Sequence, residues 1–207
     1  MAHLKKSKND KESIYIVLLG DCNVGKTGLI KKYINSTDNE IEDSSIGIKI
    51  IEKEMDDNIL TIIDTSGNKR NKGIIDSVYK RADVFIVVFD MNNEESFNNI
   101  KFWFDLIEAK NNKVDIIIYV VGNESIENCE VKTKEDIENL LKIHKNKDYL
   151  INPINYIIVN LKTNKNIKIL FDSIVEKINN SKNINEKIEK QNRKEQGSKN
   201  NIKCNLF

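Results

Sequence analysis

SIYIVLLGDCNVGKTGLI, residues 13–30, decides how the rest of the chain is read. Ile14 to Leu19 is an apolar run of strand length, Gly20 to Gly25 is a loop with a glycine at each end, and Lys26-Thr27 opens a helix. Gly20 to Thr27 therefore spells G-x-x-x-x-G-K-T between a strand and a helix. The glycines let the backbone bend so that successive N–H groups face a polyphosphate, while a lysine supplies a point charge and a threonine hydroxyl suits Mg²⁺. The positive end of the following helix adds to the same field. By composition alone such a pattern arises in a chain this long about once in a hundred. Gly20, Cys22, Asn23, Val24, Gly25, Lys26, Thr27 and Gly28 are the candidate phosphate contacts.

Length and composition bound the rest. A chain of 207 residues, 39% hydrophobic, holds one α/β domain of about 150 to 180 residues plus tails, with no room for a second. Lys+Arg (33) and Asp+Glu (32) nearly cancel, so no nucleic-acid partner is expected. Cys22, Cys129 and Cys204 are too few and too widely spaced for a disulfide framework or a metal cluster, which fits a reducing cytosol. No apolar run reaches about 18 residues, MAHLKKSKND lacks a signal core, and Ala2 stands where myristoylation needs glycine.

Residues 1–12 read as a flexible N-terminus. After a helix from Lys26 to about Asn35, STDNEIEDSSIG is polar and acidic, has no regular period, and reads as a mobile loop. Ile46 to Glu54 and Ile59 to Asp64 read as a hairpin about Asp56-Asp57-Asn58. Thr65 to Gly73 is a second flexible connection, leading into a short helix through Ile74, Val78 and Tyr79. Val84 to Asp90 is apolar nearly throughout, as befits a parallel strand covered on both faces. A helix from Glu94 to Ala109 aligns Phe97, Ile100, Phe104 and Ile107, and Ile116 to Val121 is another buried strand. A helix follows from Lys134 to Lys145 with Thr133 as its cap, then a strand from Tyr156 to Val159. A last helix puts Ile167, Leu170, Phe171, Ile174 and Ile178 on one stripe. The alternation predicts a mainly parallel sheet with helices on both faces, in one domain over 13–179, followed by a polar, disordered tail over 180–207.

In that order of segments the chain resembles the small GTPases of the Ras superfamily, and most of all the Rab branch. The resemblance rests on GDCNVGKT (20–27), SSIG (44–47), DTSGNKR (64–70), VYKRADVFIVVFD (78–90), ESFNNIKFW (95–103) and VVGN (120–123). It implies an α/β P-loop NTPase fold, with a six-stranded, mostly parallel sheet, one antiparallel edge pair and helices on both faces. It also implies GTP or GDP with Mg²⁺, and switch loops at 36–49 and 65–79 where effectors, an exchange factor and a GTPase-activating protein would bind. Carried over residue by residue, Thr27 and Ser45 would ligate Mg²⁺ directly and Asp64 through water. The Gly67 backbone would meet the γ-phosphate, Asn123 and Lys162 would serve the base site, and Asn68 and Lys26 would serve hydrolysis, Asn68 by positioning water.

The chain also departs from that pattern. Asn68 stands where the family has glutamine, one methylene short, and Cys22 is bulkier than the glycine of many relatives. Hydrolysis no faster than the slow intrinsic rates of such folds is expected. Cys22 reads either as an ordinary loop side chain or as a redox-reactive thiol beside a helix N-terminus. The N-K-x-D base motif appears as Asn123-Glu124-Ser125-Ile126, the S-A-K motif as Asn160-Leu161-Lys162, and Asp38 replaces the aromatic that packs on the base. Losing a bidentate charged acceptor costs about 2 to 5 kcal/mol, unless Glu124 or Glu127 takes its place. Between the switches, Ile50, Ile63 and Val78 offer a small apolar patch.

At the other end, Cys204-Asn205-Leu206-Phe207 fits C-a-a-X, and the terminal Phe points to geranylgeranyl on Cys204. Residues 180–203 hold seven Lys/Arg and three Glu, a net of +4 that adds attraction to anionic lipid. The resemblance thus implies a switch of vesicle traffic on the cytoplasmic face of intracellular membranes, with a cytosolic pool. Two other readings stay open. One is a degenerate, prenylated scaffold that binds nucleotide weakly or without cycling. The other is an ATP-dependent P-loop kinase, for which only Arg70, Arg81 and Arg193 are available as phosphate clamps.

Overall fold

The structure, a computed structural model of the chain, describes residues 11–34, 39–43, 48–55, 57–65, 72–113, 115–124, 134–144 and 154–182. The chain divides into two compact units, residues 1–168 and residues 169–207. In chain order the elements are β1 (Glu12–Leu19), α1 (Lys26–Tyr33), β2 (Asn39–Asp43), β3 (Ile48–Met55), β4 (Asn58–Thr65), α2 (Lys72–Arg81) and β5 (Val84–Asp90). They continue with α3 (Glu94–Asn98), α4 (Ile100–Lys110), β6 (Ile117–Asn123), α5 (Lys134–His144) and β7 (Asn155–Val159). A final helix, α6, runs over 167–182. Among the described residues no helix is long and apolar enough to cross a membrane.

β1 lies in the middle of the sheet because its run has no face to give to water. Ile14, Ile16, Val17, Leu18 and Leu19 are each at most 1% exposed. The strand order is β2-β3-β4-β1-β5-β6-β7. β1 pairs in parallel with β4 on one side and β5 on the other, through Leu18↔Asp64 and Leu19↔Val87. β6 and β7 continue the parallel half through Asp90↔Asn123 and Asn123↔Val159. The C-terminal ends of β1, β4, β5, β6 and β7 therefore share one edge, and the direction of strand addition reverses at β1. Such a switch point opens a crevice outside the strand ends, where ligands of open α/β sheets bind.

The six strands expected from sequence are present, with β3 and β4 as the antiparallel hairpin. A further short strand, β2, extends that edge from Asn39↔Glu52 to Asp43↔Ile48, inside the stretch that reads as a loop. An edge strand is held by backbone bonds to one neighbour, so it needs no buried face and leaves no hydrophobic alternation to read. The helix expected over 94–109 is likewise two helices that meet at Asn99.

Alternation along the strands separates two faces. Val17 and Leu19 of β1, Phe85, Val87 and Phe89 of β5, and Ile118 and Val120 of β6 belong to one apolar cluster with Tyr79 of α2, Phe97 of α3, Trp103, Phe104 and Ile107 of α4, and Ile137 and Leu141 of α5. α1 lies against β4 and buries Leu29 and Ile30. Ile63 is part of the cluster, and Ile50 and Val78 pack half-buried against it. Of the small apolar patch expected between the switches, Ile63 is therefore core, while Ile50 and Val78 stay partly exposed.

Asn111 fastens α2 to α4. It ends α4, its amide donates to the Tyr79 carbonyl at 2.7 Å and the Ala82 carbonyl at 3.3 Å, and its side-chain oxygen accepts from the Lys113 N–H at 2.7 Å. Because the site is 7% exposed, water cannot replace these bonds. Asn111→Ala is expected to destabilise the fold by about 1 to 3 kcal/mol, read from the midpoint and slope of urea unfolding.

Candidate functional site

The loop between β1 and α1 turns on three residues with positive φ: Gly20 (136°), Asn23 (63°) and Gly25 (105°). A β-carbon on Gly20 would lie 2.1 Å from the Val88 carbonyl oxygen of β5. Only glycine lets the backbone leave β1 so close to its neighbour. Gly25 is the first helix-flanking residue, and the first helical bond runs from the Leu29 N–H to the Gly25 carbonyl at 2.8 Å. The N–H groups of Lys26, Thr27 and Gly28 precede that bond. No side chain caps this end of α1, and no acid sits in its first turn. An uncapped, acid-free helix N-terminus at the crevice of the sheet is suited to a phosphate.

Lys26 is 5% exposed, and its ammonium donates to the Gly20 carbonyl at 2.9 Å and the Asp21 carbonyl at 2.6 Å. An ammonium has three protons, so one remains to give to a ligand. Burial lowers the Lys26 ammonium below its ordinary range, and the Asp64 carboxylate pulls it back up. The Thr27 hydroxyl donates to Asp64 Oδ2 at 2.5 Å, and the other oxygen, Oδ1, is buried with no hydrogen-bond partner. Burial pushes the Asp64 carboxyl up, against the opposing pull of the Thr27 bond and the nearby cations Lys26, Lys49 and Lys31.

An orphaned carboxylate oxygen beside a threonine hydroxyl fits a hard divalent cation, which takes oxygen ligands. Among the described residues no three His, Cys, Asp or Glu side chains gather to hold a metal. Mg²⁺ at this place would draw its remaining ligands from phosphate oxygens and water, as Mg²⁺ commonly does.

On the far side of the loop, Asn123 at the end of β6 is 4% exposed and donates from its amide to the Val24 carbonyl at 3.0 Å. Its Oδ1 is buried without a partner. A β-carbon on Gly25 would lie 2.6 Å from the Asn123 amide nitrogen, and one on Gly25 or Gly28 would lie 3.0 Å from Leu161 Cδ1. The glycines thus let both side chains press onto the first turn of α1. The Lys162 and Thr163 N–H groups donate to Asn160 Oδ1 at 2.9 and 3.0 Å, and the Lys162 side chain is exposed. Glu124 lies 3.8 Å from the Lys165 ammonium.

The structure therefore gathers Gly20, Val24, Gly25, Lys26, Thr27, Gly28, Asp64 and Asn123 at one sheet edge, with Cys22 and Asn23 exposed on the loop. Ser45, Gly67, Asn68, Cys204, Asp38 and Glu127 lie outside the described residues. Asp21 and Leu161 are the site residues that motif reading passes over. Asp21 falls on a variable position of the motif, and Leu161 stands where a small residue is usual, so neither carries a pattern of its own.

The family model for the Ras family matches residues 15–180. The chain is similar to Ras-related protein Rab-18 of Lymnaea stagnalis, 28% identical over 171 residues that cover 80% of each chain. It is similar to GTP-binding protein YPT52 of Saccharomyces cerevisiae, 27% identical over 210 residues and 89% of each chain. It is also similar to Ypt/Rab-type GTPase YPT7 of the same yeast, 32% identical over 133 residues, 61% of this chain and 64% of that one.

Gly20→Ala would force a methyl group against the Val88 backbone at a φ that L-residues rarely adopt. It is expected to destabilise the fold by about 3 kcal/mol or more, measured by urea unfolding.

Proposed function

The chain belongs to the Ras family, in its Rab-like branch, and on that premise we propose that it is a GTP- and GDP-binding switch of vesicle traffic. In this reading a domain over 13–179 holds the nucleotide with Mg²⁺. A tail over 180–207 carries geranylgeranyl on Cys204, which anchors the chain to the cytoplasmic face of intracellular membranes and leaves a cytosolic pool. The observation that supports it most is the buried pair of Lys26 and Asp64, with the Thr27 hydroxyl on Asp64, at an uncapped helix N-terminus and the switch point of the sheet.

Lys26, held by two loop carbonyls, directs its remaining proton to the β- and γ-phosphates. The N–H groups at the start of α1 take the adjoining phosphate oxygens. Thr27 and Ser45 would hold Mg²⁺ directly and Asp64 through water, and the bound ion would neutralise phosphate charge. Gly67 meets the γ-phosphate and Asn68 orients the attacking water, its short side chain keeping hydrolysis slow. Effectors, an exchange factor and a GTPase-activating protein bind at 36–49 and 65–79.

A second reading, a scaffold that holds nucleotide weakly or without cycling, draws on the base side. There Glu124, the nearest candidate to replace the missing acceptor, lies beside Lys165, and Leu161 packs onto α1.

Purification, denaturing release of bound nucleotide and titration with labelled GTP, ATP and XTP in Mg²⁺ separate the two. Submicromolar GTP preference is expected, and no binding of any triphosphate would remove the switch. Asn68→Gln is expected to speed single-turnover hydrolysis by about ten- to a hundredfold, since the longer amide reaches the water. Cys204→Ser is expected to move the protein from membrane to soluble fractions.

Asp64 supplies a further check. Its carboxyl is raised by burial, so the folded chain binds a proton there more readily than the unfolded chain. That contribution to stability is present at low pH and is lost as pH rises through the raised titration. Asp64→Asn is therefore expected to raise the neutral-pH unfolding midpoint of the ligand-free protein. At the same time it should abolish the slowing of nucleotide release by Mg²⁺.

A further inference from the structure

Asn99 and Trp103 belong to ESFNNIKFW, and the nucleotide chemistry above makes no use of them. Both reach the phosphate loop. The Asn99 amide donates to Asp21 Oδ2 at 2.6 Å, and the Trp103 indole N–H donates to Asp21 Oδ1 at 3.1 Å. Each carboxylate oxygen thus takes one donor. The main-chain carbonyl of the same residue accepts from the Lys26 ammonium at 2.6 Å. Asp21 therefore joins the buried cation of the loop, through its backbone, to the start of α4, through its side chain.

The far ends of this link are rigid. Trp103 is 5% exposed and packs in the main apolar cluster. Asn99 is the junction at which the 94–110 segment breaks into two helices. The other end of α4 is tied to α2 by Lys110–Asp76 at 2.9 Å and by the Asn111 amide. The loop, by contrast, carries positive φ at Gly20 and Asn23 on either side of Asp21. A segment in such conformations keeps one shape only where its surroundings impose it.

We propose that Asp21 is a positioning residue of the nucleotide site. Asn99 and Trp103 clasp its carboxylate, and so hold the phosphate loop and the Lys26 ammonium in register with the β- and γ-phosphates. The proposal rests on the nucleotide-binding function above. The clasp slows nucleotide release without touching the nucleotide, and Trp103, the one tryptophan of the chain, reports its state.

The test is the release rate of N-methylanthraniloyl-GDP and -GTP in excess Mg²⁺ from the full chain and from D21A, D21N, N99A and W103F, with urea midpoints measured alongside. D21A removes two charge-assisted bonds and is expected to release both nucleotides about tenfold faster or more. D21N keeps one carbonyl acceptor and should recover part of the loss. N99A and W103F should each release several-fold faster, and D21A/W103F no faster than D21A, because both break the same clasp. Trp103 emission should shift on nucleotide binding in the wild type and shift less in N99A.

A purely structural tie would lower the urea midpoint while leaving release within about twofold of wild type in D21A, N99A and W103F, and that result overturns the proposal. Effects of D21A and W103F that add would also overturn it. Should D21A fail to fold, N99A and W103F decide the matter, since each removes one donor. A wild-type chain that binds neither labelled nucleotide ends the proposed function and the clasp together, whereas wild-type binding with unchanged variants ends the clasp alone.

Discussion

A buried ammonium is the constraint from which the site follows. Lys26 is held almost wholly out of water by two carbonyls of its own loop, with Asp64 close enough to offset part of the desolvation. A charge removed from water this far is stabilised only by partners in fixed positions. The loop must therefore keep one shape, and the glycines at 20 and 25 are what permit that shape against Val88 on one side and Asn123 on the other. The cation, the glycines and the central strand depend on one another.

The same economy leaves unmet polar demand at the site. Asp64 Oδ1 and Asn123 Oδ1 are buried acceptors without partners, one on each side of the loop. Orphaned acceptors of this kind cost stability in the free protein and become favourable when a ligand meets them. Their separation matches the proposed division of labour, with a cation and phosphates on the Asp64 side and a base on the Asn123 side. On the base side the family pattern is changed at Glu124 and Leu161, while on the phosphate side Gly20, Gly25, Lys26, Thr27 and Asp64 are kept and Cys22 is the described departure. Affinity in such a site would come mainly from the polyphosphate.

α4 connects these parts. It meets the phosphate loop through Asn99 and Trp103 and meets α2 through Lys110 and Asn111, while its inner face lies in the main cluster. Such a helix transmits position because a packed core does not deform continuously. The exposed ring of Phe102, edge-on to Trp103 at 5.2 Å, is the part of this strut that faces solvent.

The strands that bury both faces were legible residue by residue, because IYIVLL, VFIVVF and IIYVV leave no polar side to solvate. The phosphate loop was legible for a different reason: its chemistry is local, and the eight residues from Gly20 to Thr27, running from the end of the strand into the helix, spell the motif. β2 was not, since an edge strand is specified by its neighbour's backbone and NEIED carries no alternation to betray it. Nor was the clasp, whose partners stand 78 and 82 residues from Asp21 and meet it only once α3 and α4 are laid across the sheet. Sequence alone determined which short segments are apolar and which local turn receives an anion. Tertiary structure alone decided that the Asp64 carboxylate lies on the Thr27 hydroxyl and that Asp21 is gripped from α4, because such meetings are set by strand register and helix packing, which no local pattern encodes.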